Sequence, residues 1–149
     1  MPALTRRRSD NSHQETWHIY FEDVRIGHIG MHSGVPLHQD QWGWGLGFYP
    51  GMEKGPRGGF GGTAATFEDA RAAFEARWKL VEPTITEADY EAWRRDRDLT
   101  AWKYRMWDEH CMMPTQTQSG RSRCFCGTEI GLGSSLEEHV ITAHRGIGA

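Results

Sequence analysis

The sequence predicts an α+β protein: a small antiparallel sheet of three or four strands covered by a helix, then a long helix and a small C-terminal module. Three observations lead there. Apolar residues recur at or near every second position within Trp17–Ile29 and Gln41–Tyr49. They recur every three to four positions within Phe67–Leu80 and Glu87–Glu109. Near the end, Cys124 and Cys126 are followed by His139 and His144. The first spacing is that of strands with one buried face and the second that of amphipathic helices.

A chain of 149 residues accommodates one domain, or a small domain with an appendage. Apolar content is only 38%, so a core depends on the seven tryptophans lying inside. The net charge of −3 gives no electrostatic footprint for nucleic acid. No apolar run is long enough to span a bilayer, and the Arg-rich N-terminus has no apolar segment of the secretory type. Three cysteines, two of them in one cluster, do not make a disulfide framework and suit a reducing, cytoplasmic setting.

Residues 1–15 are polar, with Arg6, Arg7 and Arg8 in a row, and read as a solvated, disordered tail. An α+β domain is expected over residues 16–112. Trp17–Ile29 reads as strand, turn and strand, with Glu22 and Asp23 at the turn. Met31–Asp40, holding Gly34 and Pro36, reads as a loop. In Gln41–Tyr49, Trp42, Trp44, Leu46 and Phe48 alternate with Gly43, Gly45 and Gly47. One face of that strand is a row of large apolar groups and the other is nearly bare backbone, onto which something can pack closely. The row reads as core in preference to an aromatic platform for a ligand. The Gly-rich stretch Pro50–Gly62 lacks the lysine of a phosphate loop and reads as a hairpin loop into a further strand near Gly59–Ala65.

Thr66 with Asp69 marks a helix start, and Phe74 and Trp78 fall on the face that covers the sheet. Pro83 ends that helix. Thr86 marks the next start. Along Glu87–Glu109, with a break expected near Asp98–Thr100, the stripe Tyr90, Trp93, Arg97, Ala101, Tyr104 and Trp107 is the expected packing face, making the second half a helical arm. Residues 113–122 are rich in Pro, Gln, Ser and Gly and read as a linker. The module then spans residues 123–145, and residues 146–149 form a tail.

Two thiols and two imidazoles are the donor set of a tetrahedral structural zinc. Cys124 and Cys126 lie on a knuckle that Gly127 lets turn, which requires a turn at Phe125. His139 and His144 are five apart, so the last helical turn must loosen for both to reach one ion. Ser134 or Ser135 is placed to cap the helix Leu136–His144. His110 and Cys111 stand in reserve as substitute ligands.

With Ile130, Leu136 and His139 at their mutual offsets, the segment from Arg123 to Arg145 resembles the two-Cys, two-His zinc fingers, departing from them in having one residue between the cysteines. The resemblance places base-reading positions at Leu132, Ser135 and Glu138, none of them a usual base reader. Glu137 and Glu138 have the wrong sign for phosphates, and Arg121, Arg123 and Arg145 only balance Glu129, Glu137 and Glu138. More widely, Gln-Trp-Gly-Trp-Gly, Phe-Tyr-Pro-Gly, Gly-Thr-Ala-Ala-Thr-Phe-Glu-Asp-Ala-Arg, Thr-Glu-Ala-Asp-Tyr and Thr-Ala-Trp-Lys-Tyr-Arg-Met-Trp resemble a family of small uncharacterised bacterial proteins, which implies a cytosolic bacterial setting and no particular chemistry.

The leading functional expectation is a non-enzymatic binding or adaptor protein with a structural Zn2+ finger and a protein partner. A second is a nucleic-acid-binding regulator sharing phosphate contacts among Arg6–Arg8, Arg94, Arg95, Arg97 and the finger. A third is an enzyme built on His18, His28, His32 and His38 near Glu22 and Asp40.

Overall fold

The computed structural model describes residues 3–52 and 60–149, so much of the Gly-rich loop lies outside the described residues. The chain forms β1 (Leu4–Arg8), β2 (Thr16–Phe21), β3 (Val24–Met31), β4 (Trp42–Leu46), β5 (Phe60–Ala64), α1 (Phe67–Val81), α2 (Glu87–Asp108), β6 (Ser122–Arg123), β7 (Glu129–Ile130) and α3 (Ser134–Ala143). It divides into two compact units, Met1–Trp93 and Arg94–Ala149, and the division falls within α2.

In the first unit β1 to β5 form one antiparallel meander in sequence order. The sheet therefore has five strands where three or four were expected, and the added strand comes from the stretch read as a disordered tail. β1 pairs with β2 from Leu4↔Phe21 to Arg8↔Trp17. It escapes a hydrophobic pattern because, after the half-buried Leu4, it carries exposed arginines whose guanidinium groups lie over aromatic rings. The Arg6 guanidinium lies 4.4 Å from the Trp17 ring and 4.7 Å from that of Phe67, while Arg7 lies 4.5 Å from Tyr20. Stacked cations stand in for aliphatic side chains, with stems and guanidinium planes covering apolar rings.

Between β2 and β3 the turn runs through Glu22, whose φ is +54°. α1 starts where Thr66 Oγ1 accepts from the Asp69 amide at 3.1 Å. It buries Ala70, Phe74, Trp78 and Val81. Phe74 meets Trp44 edge-on at 6.2 Å, and Phe67 meets Trp42 at 5.5 Å. Trp42, Leu46 and Phe48 belong to this core, so the aromatic row is packing and not a platform. Tyr90 stacks between Phe21 and Phe48 at 5.6 and 5.9 Å. Burial, with Glu82, Glu87, Glu22 and Asp89 nearby, pushes its hydroxyl up to about 12, so the ring stays neutral. The glycine side of β4 receives histidines: a Cβ on Gly45 would fall 2.7 Å from His28 Cε1, and one on Gly43 would strike the His32 ring.

α2 begins at a reciprocal cap, with the Thr86 amide donating to Asp89 and the Asp89 amide to Thr86 Oγ1. The expected break near Asp98–Thr100 is absent; the helix is continuous. In the second unit its packing face also differs from the expected stripe. Tyr104 and Trp107 are 68% and 77% exposed, whereas Trp102 and Met106 are buried. Asp98, Trp102 and Met106 are four apart and form the inward row, set by what packs on the helix: Cys124, Ile130 and Val140. The stretch read as a linker contributes Met113 and the fully buried Pro114 to this packing and carries a 3-10 turn, Pro114–Gln116.

Asp98 holds the C-terminal residues read as a tail. It is 3% exposed and accepts from the Gly146 amide at 2.9 Å, the Gly148 amide at 3.1 Å and Arg97 Nε at 3.1 Å. Ile147, between those glycines, packs into the core. Burial alone would raise the Asp98 carboxyl, but the two amides and the guanidinium outweigh it and hold it below its ordinary value.

Two outcomes follow for stability. At Gly27 a Cβ would collide with the Gly45 carbonyl and lie 2.6 Å from Phe74, so Gly27→Ala is expected to cost about 1–3 kcal/mol in urea unfolding. Asp98→Ala is expected to cost about 1–3 kcal/mol and to increase amide exchange at Gly146–Gly148. Because the folded carboxyl titrates below the unfolded one, its contribution is fully present above the ordinary carboxylate value of about 3.9 and is lost as pH falls through the lower folded value. Acid titration of the parent against Asp98→Ala checks this: the two stabilities should converge at the acid end.

Candidate metal centre

β6 and β7 form a two-stranded hairpin, pairing Ser122↔Ile130 and Arg123↔Glu129, with the cysteines at its tip. The Gly127 amide donates to the Cys124 carbonyl at 2.8 Å, which closes a turn with Phe125 and Cys126 at its centre. Gly127 takes φ +91°, a conformation glycine adopts freely. The Cys124 amide donates to the Thr128 carbonyl at 2.9 Å. This turn brings two side chains to one side, which an extended i, i+2 pair cannot do.

α3 and the residue that follows it supply the imidazoles. The N-cap of α3 is Gly133, at φ +71°, with no side-chain capping bond; Ser134 and Ser135, expected as caps, lie within the first turn, and the Ser135 hydroxyl donates back to the Leu132 carbonyl. The helix ends at Ala143, and His144 stands outside it at φ −124°, ψ 24°. That departure from helical geometry brings an imidazole five residues beyond His139 onto the same point, with ring centroids 5.0 Å apart.

The two thiols and two imidazoles converge. One ligand atom from each of Cys124, Cys126, His139 and His144 lies within 4.8 Å of the other three. Cys124 Sγ is 3.3 Å from His144 Nε2, and Cys126 Sγ is 3.6 Å from His139 Nε2. A tetrahedral zinc with Zn–S of about 2.3 Å and Zn–N of about 2.0–2.1 Å requires S···N edges of about 3.5 Å, so the donor set and its spacing fit that ion.

Other groups support both sulfurs. The Trp102 indole Nε1–H, on α2, donates to Cys124 Sγ at 3.3 Å. The Thr128 hydroxyl is hydrogen-bonded to Cys126 Sγ at 3.3 Å. Burial pushes the Cys124 thiol up, while the Thr128 hydroxyl and amide draw the Cys126 thiol down. Burial, with His139 and Arg105 nearby, lowers His144 and favours the neutral imidazole that a metal requires. Phe125 packs on the His144 ring at 4.7 Å, and the Arg105 guanidinium covers Phe125 at 4.6 Å.

Other sequence candidates do not join this group. Cys111 Sγ is 3.8 Å from the Glu109 carbonyl, and His110 turns the chain at φ +57°. His18 and His28 are cross-strand neighbours on the sheet face away from α1, His32 lies over Gly43, and His38 is in the loop. Among the described residues they form no convergent group, and the one group of three or more that could hold a metal is the C-terminal four. Sequence reading missed Trp102, which lies off the expected stripe, and Asp98, which entered only as the start of an expected helix break.

No protein-family model, no curated protein and no solved structure matches the chain. The resemblances to two-Cys, two-His fingers and to small bacterial proteins stand on the quoted motifs alone.

Proposed function

We propose that Cys124, Cys126, His139 and His144 hold a structural zinc ion, and that the protein is a non-enzymatic binding or adaptor protein whose C-terminal unit the metal organises. The approach of four ligand atoms to within 4.8 Å of one another carries this reading. Four protein ligands leave no open position for a reacting water, which separates a structural ion from a catalytic one. The ion supplies folding energy to a unit with few buried apolar residues. A reducing compartment keeps the thiols available as ligands.

The exposed face of α2 favours a protein partner. Tyr104 and Trp107 lie one helical turn apart, beside Lys103 and Thr100, and remain 68% and 77% exposed. Large exposed aromatics of this kind are the usual anchors of protein interfaces. Of the arginines named for the nucleic-acid reading, Arg97 is bonded to the buried Asp98, while Arg6 and Arg7 lie over aromatic rings and stay exposed. Among the described residues no helix is long and apolar enough to cross a membrane.

Purified parent protein is expected to carry one zinc per chain by elemental analysis, and Cys126→Ser and His139→Ala to lose it. A parent free of metal after purification and zinc reconstitution would overturn the reading. Trp102→Phe keeps an aromatic ring but removes the donor to Cys124 and part of the buried volume, so zinc affinity is expected to fall about tenfold or more in competition with a chromophoric chelator. A photo-cross-linking residue at position 107 is expected to capture a discrete protein in cells, with capture lost on Tyr104→Ala. Salt-sensitive binding of oligonucleotides at low ionic strength, in place of such capture, would favour the regulator instead.

A further inference from the structure

The metal centre is one-sided. Cys124 is 3% exposed and sits against the fully buried Trp102, whose indole donates to its sulfur. Cys126 is an exposed residue, and its sulfur is supported by the exposed Thr128. The Cys124 corner therefore faces the core of the unit and the Cys126 corner faces solvent, while His139 and His144 are both half-buried. A thiolate ligand keeps nucleophilic character, so access decides which sulfur reacts first.

We propose that Cys126 is an oxidation site for hydroperoxides, and that Cys124 resolves the sulfenic acid into a disulfide that releases the ion. This rests on the metal reading above. In the first step the Cys126 sulfur attacks one peroxide oxygen. An S–O bond forms, the O–O bond breaks, and the alkoxide leaves and takes a proton, so Cys126 becomes a sulfenic acid. In the second step the Cys124 thiolate, no more than 4.8 Å away, attacks the sulfenic sulfur. An S–S bond forms, the S–O bond breaks, and hydroxide departs as water. Two electrons have passed from the two thiolates to one hydroperoxide. The ion keeps only His139 and His144 and dissociates. A dithiol reductant with fresh zinc reverses the sequence. Oxidation would thus unfasten α3 from the knuckle and turn a structural ion into a switch.

The test uses the zinc-loaded full chain carrying Cys111→Ser, which removes the third thiol without touching the ligands. Limiting iodoacetamide followed by peptide mapping is expected to label Cys126 at least tenfold over Cys124; equal labelling, or Cys124 first, overturns the proposal. Cumene hydroperoxide with a chromogenic chelator is then expected to release one zinc per Cys124–Cys126 disulfide, restored by dithiothreitol and zinc. Retention of zinc under oxidant, or release without that disulfide, overturns it as well. A chain that never retains zinc defeats the metal reading and this proposal together. A chain that holds zinc but resists hydroperoxide defeats this proposal alone.

Discussion

Everything in the C-terminal unit is arranged around one requirement, that two sulfurs and two imidazole nitrogens meet at a point. Thiols and imidazoles are poor core material by themselves, since polar groups taken from water need partners. Here each ligand atom has another ligand within contact distance, and each sulfur has an additional hydrogen-bonding group. The positive φ of Gly127, the loosened end of α3 at His144 and the placement of Trp102 beneath the knuckle all serve that meeting. Two thiolates this close would repel one another, and a cation between them would remove that repulsion.

The unit extends beyond the segment that carries the four residues. The hairpin and α3 share one core with Trp102 and Met106 of α2, and Asp98 ties the Gly146–Gly148 backbone to the same helix. The residue that follows His144 leads directly into that tie, so the position of the last imidazole is secured on both sides: by α3 before it and by the Asp98 bonds after it. The hairpin and α3 thus have α2 as their floor.

The first unit follows a different logic, in which glycine and arginine do what aliphatic residues usually do. Glycines on β3 and β4 let the Phe74 ring and the His28 and His32 side chains approach the sheet closely. Arginines on β1 extend the sheet by stacking on Trp17, Phe67 and Tyr20. Burial of the Trp42 face against α1 makes it a stabilising feature, and leaves the exposed aromatics of α2 as the more telling surface.

Local pattern determined much of this. Period-two alternation placed β2, β3 and β4, threonine caps placed the starts of α1 and α2, and the residue types between Cys124 and His144 marked the four side chains that cluster. Such features are legible because they depend on neighbours within one helical turn or one strand. Tertiary structure alone decided the rest. β1 was hidden because its arginines find their rings only across the sheet. Trp102 and Asp98 were hidden because the inward row of α2 depends on a hairpin that follows some twenty residues later in the chain, and hydrophobic periodicity records an average face, not the partner that selects it. Convergence of the four ligands is likewise a long-range fact: composition proposes them, and only the turn at Cys124–Gly127 and the end of α3 bring them to one place.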